Sequence, residues 1–187
     1  LLFAAVPVIG EDDIAIEANG PLRNFDAVAV IARMPMAFVV EERPQVLQLR
    51  DLLMQARLNP ARIALAMLGP FSSSAFAAAE LQRAASISFL TVEYNDAAAA
   101  LNAVATRNVD AAMFPLPLAL PHFGGGKLKI VAVTSSMRHP AIPLIPTMAE
   151  AAVSGFSAEG GFALFTTKGV PAKTLVVLCR EIGRAHV

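Results

Sequence analysis

Two short polar segments stand where chemistry could take place. The serine trio Ser72–Ser74 precedes Ala75–Ala85, a run of strong helix formers, and Asn95 and Asp96 precede an alanine-rich run. Serine and aspartate are preferred N-cap residues, so both segments are predicted to begin helices. The first N–H groups of a helix lack partners within it and attract anions, although the Asp96 carboxylate weighs against an anion there. Anion binding and simple capping both remain open.

The sequence gives less support to a nucleophilic active site or to a metal site. No Gly-x-Ser-x-Gly elbow surrounds the serines, and His122 and His139 each lie beside a proline. Cys179 lies in an apolar run and is predicted to be a small buried residue. The spacings of His122, His139 and Cys179 match no metal-ligand pattern. The sequence therefore predicts no catalytic residue, no metal site and no cofactor.

A glycine-rich turn before Lys127 also fails as a phosphate-binding loop. Gly124–Gly126 lacks the earlier glycine of that motif, and Leu128 stands where a magnesium-binding Ser or Thr belongs. The turn follows a predicted helix and precedes a predicted strand, which reverses the required order. It is interpreted as the end of a helix.

Composition excludes several classes of protein. The 187 residues are 56% hydrophobic and 16% charged, with 15 basic and 15 acidic side chains. This balance excludes disorder, and zero net charge argues against a nucleic-acid surface. One cysteine excludes a disulfide framework. Every stretch without formal charge is shorter than the roughly 20 residues that span a bilayer, and prolines interrupt the two longest, 63–79 and 111–126.

Strand and helix patterns alternate at least five times, which predicts an α/β protein with a largely parallel sheet. Met34 and Pro35 are expected to form a bend between two strands. The predicted strands are 27–32, 36–41, 62–66, 87–93, 109–114, 128–134 and 162–167. The predicted helices are 46–58, 75–85, 96–107, 116–123, 148–153 and one that begins at Pro171.

Several segments together resemble one family. Phe25–Ala32 followed by Met36–Val40, then Val109–Phe114 and Gly126–Ser135, are similar to the Bug-type substrate-binding proteins of tripartite tricarboxylate transporters. A proline-rich segment that follows fits the same family, with Pro140, Pro143, Pro146, Thr147, Gly155 and Phe156. The resemblance covers nearly all of residues 1–180, and the last third is the most specific part.

The resemblance implies a periplasmic-binding-protein-like fold of type II, in which two α/β lobes are joined by crossing strands. Residues 1–35 and 128–180 would belong to an incomplete first lobe, and residues 36–127 would form the second. The family's opening segment, with its glycine-rich ligand loop, would precede Leu1. Residues 181–187 are interpreted as a non-native tail.

The resemblance also implies a function. Members of the family are non-enzymatic periplasmic receptors whose lobes close over a carboxylate and deliver it to permease subunits in the membrane. The chain is accordingly expected to be a monomer that binds a small organic solute and no nucleic acid. Two alternatives stay open: a periplasmic sensor that informs a signalling partner, and an α/β enzyme outside transport.

The family's ligand-binding positions carry over only in part. Ser73 and Ser74 match a Ser-Ser/Thr pair and Tyr94 is kept, whereas a polar-aromatic pair becomes Gly160 and Gly161. The implied ligand-binding residues are Ala4, Ala5, Ser72, Ser73, Ser74, Tyr94, Asn95, Asp96, Phe114, Pro115, Gly160 and Gly161.

Departures from the family pattern point to a different solute. Pro70 removes a backbone N–H from the serine loop, and the acids Glu93 and Asp96 should repel a polyanion. A less charged or more apolar solute, or a degenerate pocket, suits four apolar side chains near these loops, for which a plain core position is the alternative. These are Phe71, Phe76, Phe114 and Leu116.

Overall fold

The structure of the chain, a computed structural model, describes residues 1–9, 13–14, 22–42 and 48–184. Strands and helices alternate through most of this part. The strands are β1 (Leu2–Ile9), β2 (Asp13–Ile14), β3 (Phe25–Glu41), β4 (Ala64–Leu68), β5 (Leu90–Tyr94), β6 (Ala111–Pro115), β7 (Leu128–Val133) and β8 (Ala158–Thr167). The helices are α1 (Leu49–Leu58), α2 (Ser73–Ala85), α3 (Ala97–Ala105), α4 (Leu116–Ala119), α5 (Met148–Ala151) and α6 (Ala172–Arg184), with a 3₁₀ turn at Leu120–His122.

One long strand, β3, joins the two parts of the sheet. The strand order is β2-β1-β8-β3-β6-β4-β5, and β7 also pairs with β3. Residues 25–35 of β3 pair with β8, and residues 36–41 pair with β6 and β7. The two predicted strands are thus one, and the expected bend at Pro35 is where β3 changes partners. Proline lacks an N–H but is compatible with extended backbone, so it interrupts the hydrogen-bond ladder without ending the strand.

The prediction of a largely parallel sheet is wrong. Only the pairs β4–β5 and β4–β6 are parallel, and every other strand pair in the described residues is antiparallel. Parallel pairing follows from helical crossovers, and α2 and α3 provide them between β4, β5 and β6. The alternation of strands and helices along the sequence does not reveal strand direction. It therefore could not show that β3 is antiparallel to its three partners.

Alternate residues of β3 enter two separate cores, because side chains on a strand alternate between its faces. Phe38 packs with residues of α1 and α2 on one face. Ala37 and Val39 pack with residues of α3 and α4 on the other. All three side chains are at most 2% exposed. Helices therefore cover both faces of the sheet around β4–β7, which holds the ends of those strands rigidly.

Helix starts follow the local sequence signals closely. The side chain of Ser72 accepts a hydrogen bond from the N–H of Ala75, and that of Asp96 accepts one from Ala99. Thr147 and Glu150 form a reciprocal capping box at the start of α5. Helix α1 begins at Leu49, and residues 43–47, which include part of the predicted helix, lie outside the described residues.

Strand pairing divides the sheet at a different place from the predicted lobe boundary. The strand β7 pairs with residues 37–41 of β3, beside the strands of the predicted second lobe. The strand β8 pairs with β1 and with residues 25–35 of β3, in the predicted first lobe. The division of the whole protein into lobes stays a prediction, as does the non-native tail. No helix in the described part is long and apolar enough to cross a membrane.

Candidate ligand-binding site

Three predicted ligand loops meet at one edge of the sheet. The parallel strands β4, β5 and β6 all end there, and Leu68 at the end of β4 is the direct partner of Tyr94 at the end of β5. The loops that follow lead into α2, α3 and α4. Ligands of α/β proteins collect at this edge, because loops and helix N-termini converge on it.

Two hydroxyls of the serine trio fasten their own loop. Ser72 Oγ donates to the carbonyl of Leu68 at 2.6 Å, and Ser74 Oγ accepts from the N–H of Leu68 at 3.0 Å. The two hydroxyls also lie 2.8 Å apart, and Ser74 is only 1% exposed. Both side chains are therefore occupied in holding the β4–α2 turn. Ser73 has no hydrogen bond of this kind within the described residues.

Ser73 lies directly against the strand β8. A Cβ added to Gly160 would be 2.6 Å from Ser73 Oγ and 2.7 Å from Ser73 Cβ, closer than atoms can approach. The start of α2 can rest on β8 only because residue 160 has no side chain. The structure thus brings together two predicted ligand-binding residues that are far apart in the sequence.

Gly161 faces the opposite side of β8. A Cβ there would be 2.9 Å from the carbonyl oxygen of Ala32 and 2.9 Å from Val8 Cγ2, so this glycine allows close strand packing. The neighbouring Glu159 is 5% exposed. Burial raises the pKa of its carboxyl group, and the positive charge of Arg33 partly offsets that rise.

The β5–α3 loop presents negative charge. Asn95 and Asp96 are exposed, and Tyr94 is half-buried against the core. Asp96 Oδ2 accepts a hydrogen bond from the N–H of Ala99 at 3.0 Å, so its carboxylate occupies the start of α3. An incoming anion would have to displace it or stay away.

The third loop is a core feature in the structure. Phe114 is fully buried and packs in the core beside Ala37 and Val39, and Pro115 is buried at the end of β6. Leu116 is 1% exposed. Phe114 and Leu116 therefore occupy core positions, which is the alternative that the sequence leaves open for them. Other apolar candidates differ: Phe76 is partly buried against the core, and Phe71 is 102% exposed.

An apolar surface that sequence reasoning missed begins at Gly160. On β8 the residues on the same face as Gly160 are Phe162 and Leu164, and their direct partners on β1 are Ala5 and Phe3. The rings of Phe3 and Phe162 stack with centroids 5.4 Å apart. We call these five residues the aromatic face. The continuous apolar run at residues 162–165 of β8 is the sequence signal, but it does not reveal which face meets α2.

The predicted contact residue Ala4 points away from this face. It is the partner of Ala163 and packs with the small third cluster, which contains Val6, Val8, Ala163 and Phe165. Its neighbour Ala5 is exposed on the aromatic face.

Other candidate groups lie elsewhere. His139 Nδ1 accepts a hydrogen bond from the N–H of Ala141 in a surface loop. Cys179 is exposed and its Sγ lies 3.0 Å from the carbonyl of Val28, so the prediction of a buried cysteine is wrong. The thiol lies at the contact between α6 and β3, yet the residue stays exposed there. No group of three or more metal-ligating side chains occurs in the described part of the chain.

Solved structures with the same fold include proteins determined with carboxylates. A protein of R. palustris determined with adipate superposes with a TM-score of 0.67 and 25% identity, covering 90% of this chain and 56% of that one. MatC from Rhodopseudomonas palustris with bound malate has a TM-score of 0.65 and 25% identity, covering 86% and 55%. The periplasmic-binding-protein-like fold, with its α/β architecture, is therefore confirmed.

Sequence comparison agrees with the structural comparison. A UPF0065 protein encoded between tcbD and tcbE in Pseudomonas sp. strain P51 is 30% identical over 164 residues, which are 87% of this chain and 49% of that protein. The chain thus spans about half the length of this relative. The model of the tripartite tricarboxylate transporter family receptor matches residues 18–185. The chain belongs to the receptor family of the tripartite tricarboxylate transporters.

Proposed function

We propose that the protein containing this chain is a periplasmic receptor that binds a small carboxylate or related organic solute and delivers it to a membrane permease. One observation carries the proposal: the start of α2, at Ser73, rests on Gly160 of β8. A helix N-terminus from one part of the sheet thereby meets a strand from the other part. A solute at this contact would touch both.

The start of α2 has the chemistry that a carboxylate needs. The first backbone bond within the helix runs from Phe76 N–H to the carbonyl of Ser72, and the N–H of Ala75 is taken by Ser72 Oγ. The N–H groups of Ser73 and Ser74 come before these bonds, have no acceptor within the described residues, and can donate to an anion. The start of α3 is less suitable, because Asp96 already occupies it.

The relatives support a carboxylate as solute. Adipate and malate are bound by the two R. palustris proteins that share the fold at 25% identity. Neither is carried over as the solute of this chain, because its loops differ in charge. The receptor is expected to act as a monomer, without catalysis or a cofactor.

Proline substitutions at the two helix starts test the site. Ser73→Pro removes one N–H at the first position of α2, where proline is tolerated, and the extended backbone of Ser72 accepts a following proline. We expect carboxylate affinity to fall by about tenfold or more, since a hydrogen bond to a charged group is lost. Ala97→Pro makes the same change at α3 and should leave affinity unchanged. Loss of binding in Ala97→Pro alone would move the anion to α3 and overturn the assignment.

Ligand binding itself is tested by thermal unfolding of the gene's full-length product against a panel of carboxylates, amino acids and aromatic acids. A ligand at 100-fold excess over its Kd should stabilise the protein by about 2.7 kcal/mol. No shift with any carboxylate would contradict the carboxylate proposal.

Transport is tested in cells. Deletion of the gene should abolish uptake of the solute identified by unfolding, and cell fractionation should recover the protein in the periplasm. Intact uptake with a lost transcriptional response would support the sensor alternative instead. Turnover of any bound compound would support an enzyme.

A further inference from the structure

The aromatic face continues directly from the proposed carboxylate position. Gly160 contacts Ser73, and Phe162 is two residues further along the same face of β8. At about 3.3 Å per residue, the two positions are roughly 7 Å apart. A solute whose carboxylate lies at the start of α2 therefore places a short chain or a single ring on Phe162 and Phe3.

We propose that the solute carries one carboxylate and an apolar body, and that the receptor prefers monocarboxylates to dicarboxylates. This inference rests on the proposed function and names the class of solute for that site. The carboxylate lies at the N–H groups of Ser73 and Ser74, and the apolar body lies on the aromatic face.

Exposure and stacking support the apolar part. Phe3 is 58% exposed and Phe162 is half-buried, although their stacked rings lie almost parallel, with 6° between the planes. Burying such surface under an apolar body is favourable. Ala5 is small and exposed, so it leaves room beside the rings, whereas Ser73 fills the space at Gly160. Met34 of β3, the partner of Gly160, extends the same apolar surface.

Charge argues against a second carboxylate. None of the five residues of the aromatic face is charged, and Arg33 lies on the opposite face of the sheet, where it interacts with Glu159. On the other side of the site, Glu93 near the end of β5 and Asp96 on the loop that follows are exposed acids. A second carboxylate would lie unpaired on an apolar surface or face these acids, and both are unfavourable.

Hexanoate and adipate provide the direct test, because they differ only in the second carboxylate. Calorimetric titration of the full-length gene product should give hexanoate at least about tenfold tighter binding than adipate. Adipate binding equally or more tightly would overturn the inference and leave the proposed function standing. No binding of either acid, or of any other carboxylate in the panel, would overturn both.

Substitutions locate the apolar contact. Phe162→Ala should weaken hexanoate binding by about tenfold, whereas Phe162→Leu, which stays apolar, should keep most of it. Phe123→Ala removes another exposed ring, remote from β8 in a loop after the 3₁₀ turn, and serves as the control. Where Phe162→Ala does not fold by circular dichroism, Phe3→Ala makes the same test at a more exposed ring. Unchanged affinity in Phe3→Ala and the folded Phe162 variants would overturn the inference, and would indicate that another part of the protein covers this face.

Discussion

The two parts of the sheet are built differently. Around β4–β7, helices cover both faces and alternate residues of β3 enter two large cores. Around β1 and β8, the described residues form a buried cluster of four side chains, Val6, Val8, Ala163 and Phe165, and the opposite face carries the exposed ring of Phe3 and the half-buried ring of Phe162. The first part can hold loop geometry rigidly, whereas the second offers apolar surface to a ligand or to further chain. The two parts touch at Ser73 and Gly160, so a firmly held loop and an apolar surface lie side by side there.

The largest expected effect is a difference between the two cores in the unfolding free energy that is lost when a buried ring is removed. Phe38 and Phe165 are both fully buried, in the large and the small cluster respectively. Phe38→Ala should lower the free energy of unfolding by about 4 kcal/mol, because a dense core relaxes little around a cavity. Phe165→Ala should cost less, since fewer buried neighbours surround it. Urea unfolding measures both, and equal losses would contradict the difference in packing.

The contact between the two parts should be sensitive to one methyl group. Gly160→Ala places a Cβ within 2.7 Å of Ser73, so the start of α2 must shift, and unfolding free energy should fall by about 1–3 kcal/mol. Adding Ser73→Gly removes both clashing atoms and should restore most of the loss. Gly69→Ala is the matched control, because a Cβ at Gly69 meets nothing within 4 Å. An equal loss at Gly69 would show that loss of glycine, not the contact, matters.

A smaller effect is expected at the start of α3. Asp96→Ala removes the cap on Ala99 and should cost about 1 kcal/mol in thermal or urea unfolding. Asp96→Asn keeps a capping oxygen and should cost much less, while removing a negative charge from the site. Asp110→Asn changes a similar backbone-bonded acid, at Ala64 on the other end of β4, and controls for charge alone. Improved adipate binding in Asp96→Asn but not in Asp110→Asn would show that Asp96 repels a second carboxylate.

The smallest effects concern pH and have opposite signs in the two parts. Glu159 has a raised pKa, so the folded state is favoured by protonation and loses stability as pH rises through that pKa. Glu150 has a lowered pKa, first through its hydrogen bond from the Thr147 N–H and then through Arg138, so its contribution is present above the unfolded pKa and lost as pH falls. Unfolding of Glu159→Gln should therefore show a gain at neutral pH, and Glu150→Gln a loss. A gain of stability in both variants, or a loss in both, would contradict the burial of Glu159 and the hydrogen bonding of Glu150.

Local features of the fold could be predicted because their causes are local. Ser72, Asp96 and Thr147 cap their helices with atoms three residues away, so sequence spacing is sufficient. Resemblance to a family identified the fold and the loops at the ends of β4 and β5. Tertiary packing decided the rest of the site. For Phe114 the sequence leaves a pocket position open beside the favoured core position, and the packing of β6 between β3 and β4, with helices on both faces, places it in the core.

The sequence by itself determined the starts of α2, α3 and α5, most strand segments, the balance of charge and the membership of a receptor family. Only the tertiary structure decided that β3 is one strand with three antiparallel partners, that Ser73 meets Gly160, and that Phe162 shares a face with that contact. The physical reason is distance along the chain. Caps and periodicity depend on neighbours within one or two turns, whereas strand direction and the face that meets a helix depend on residues scores of positions apart.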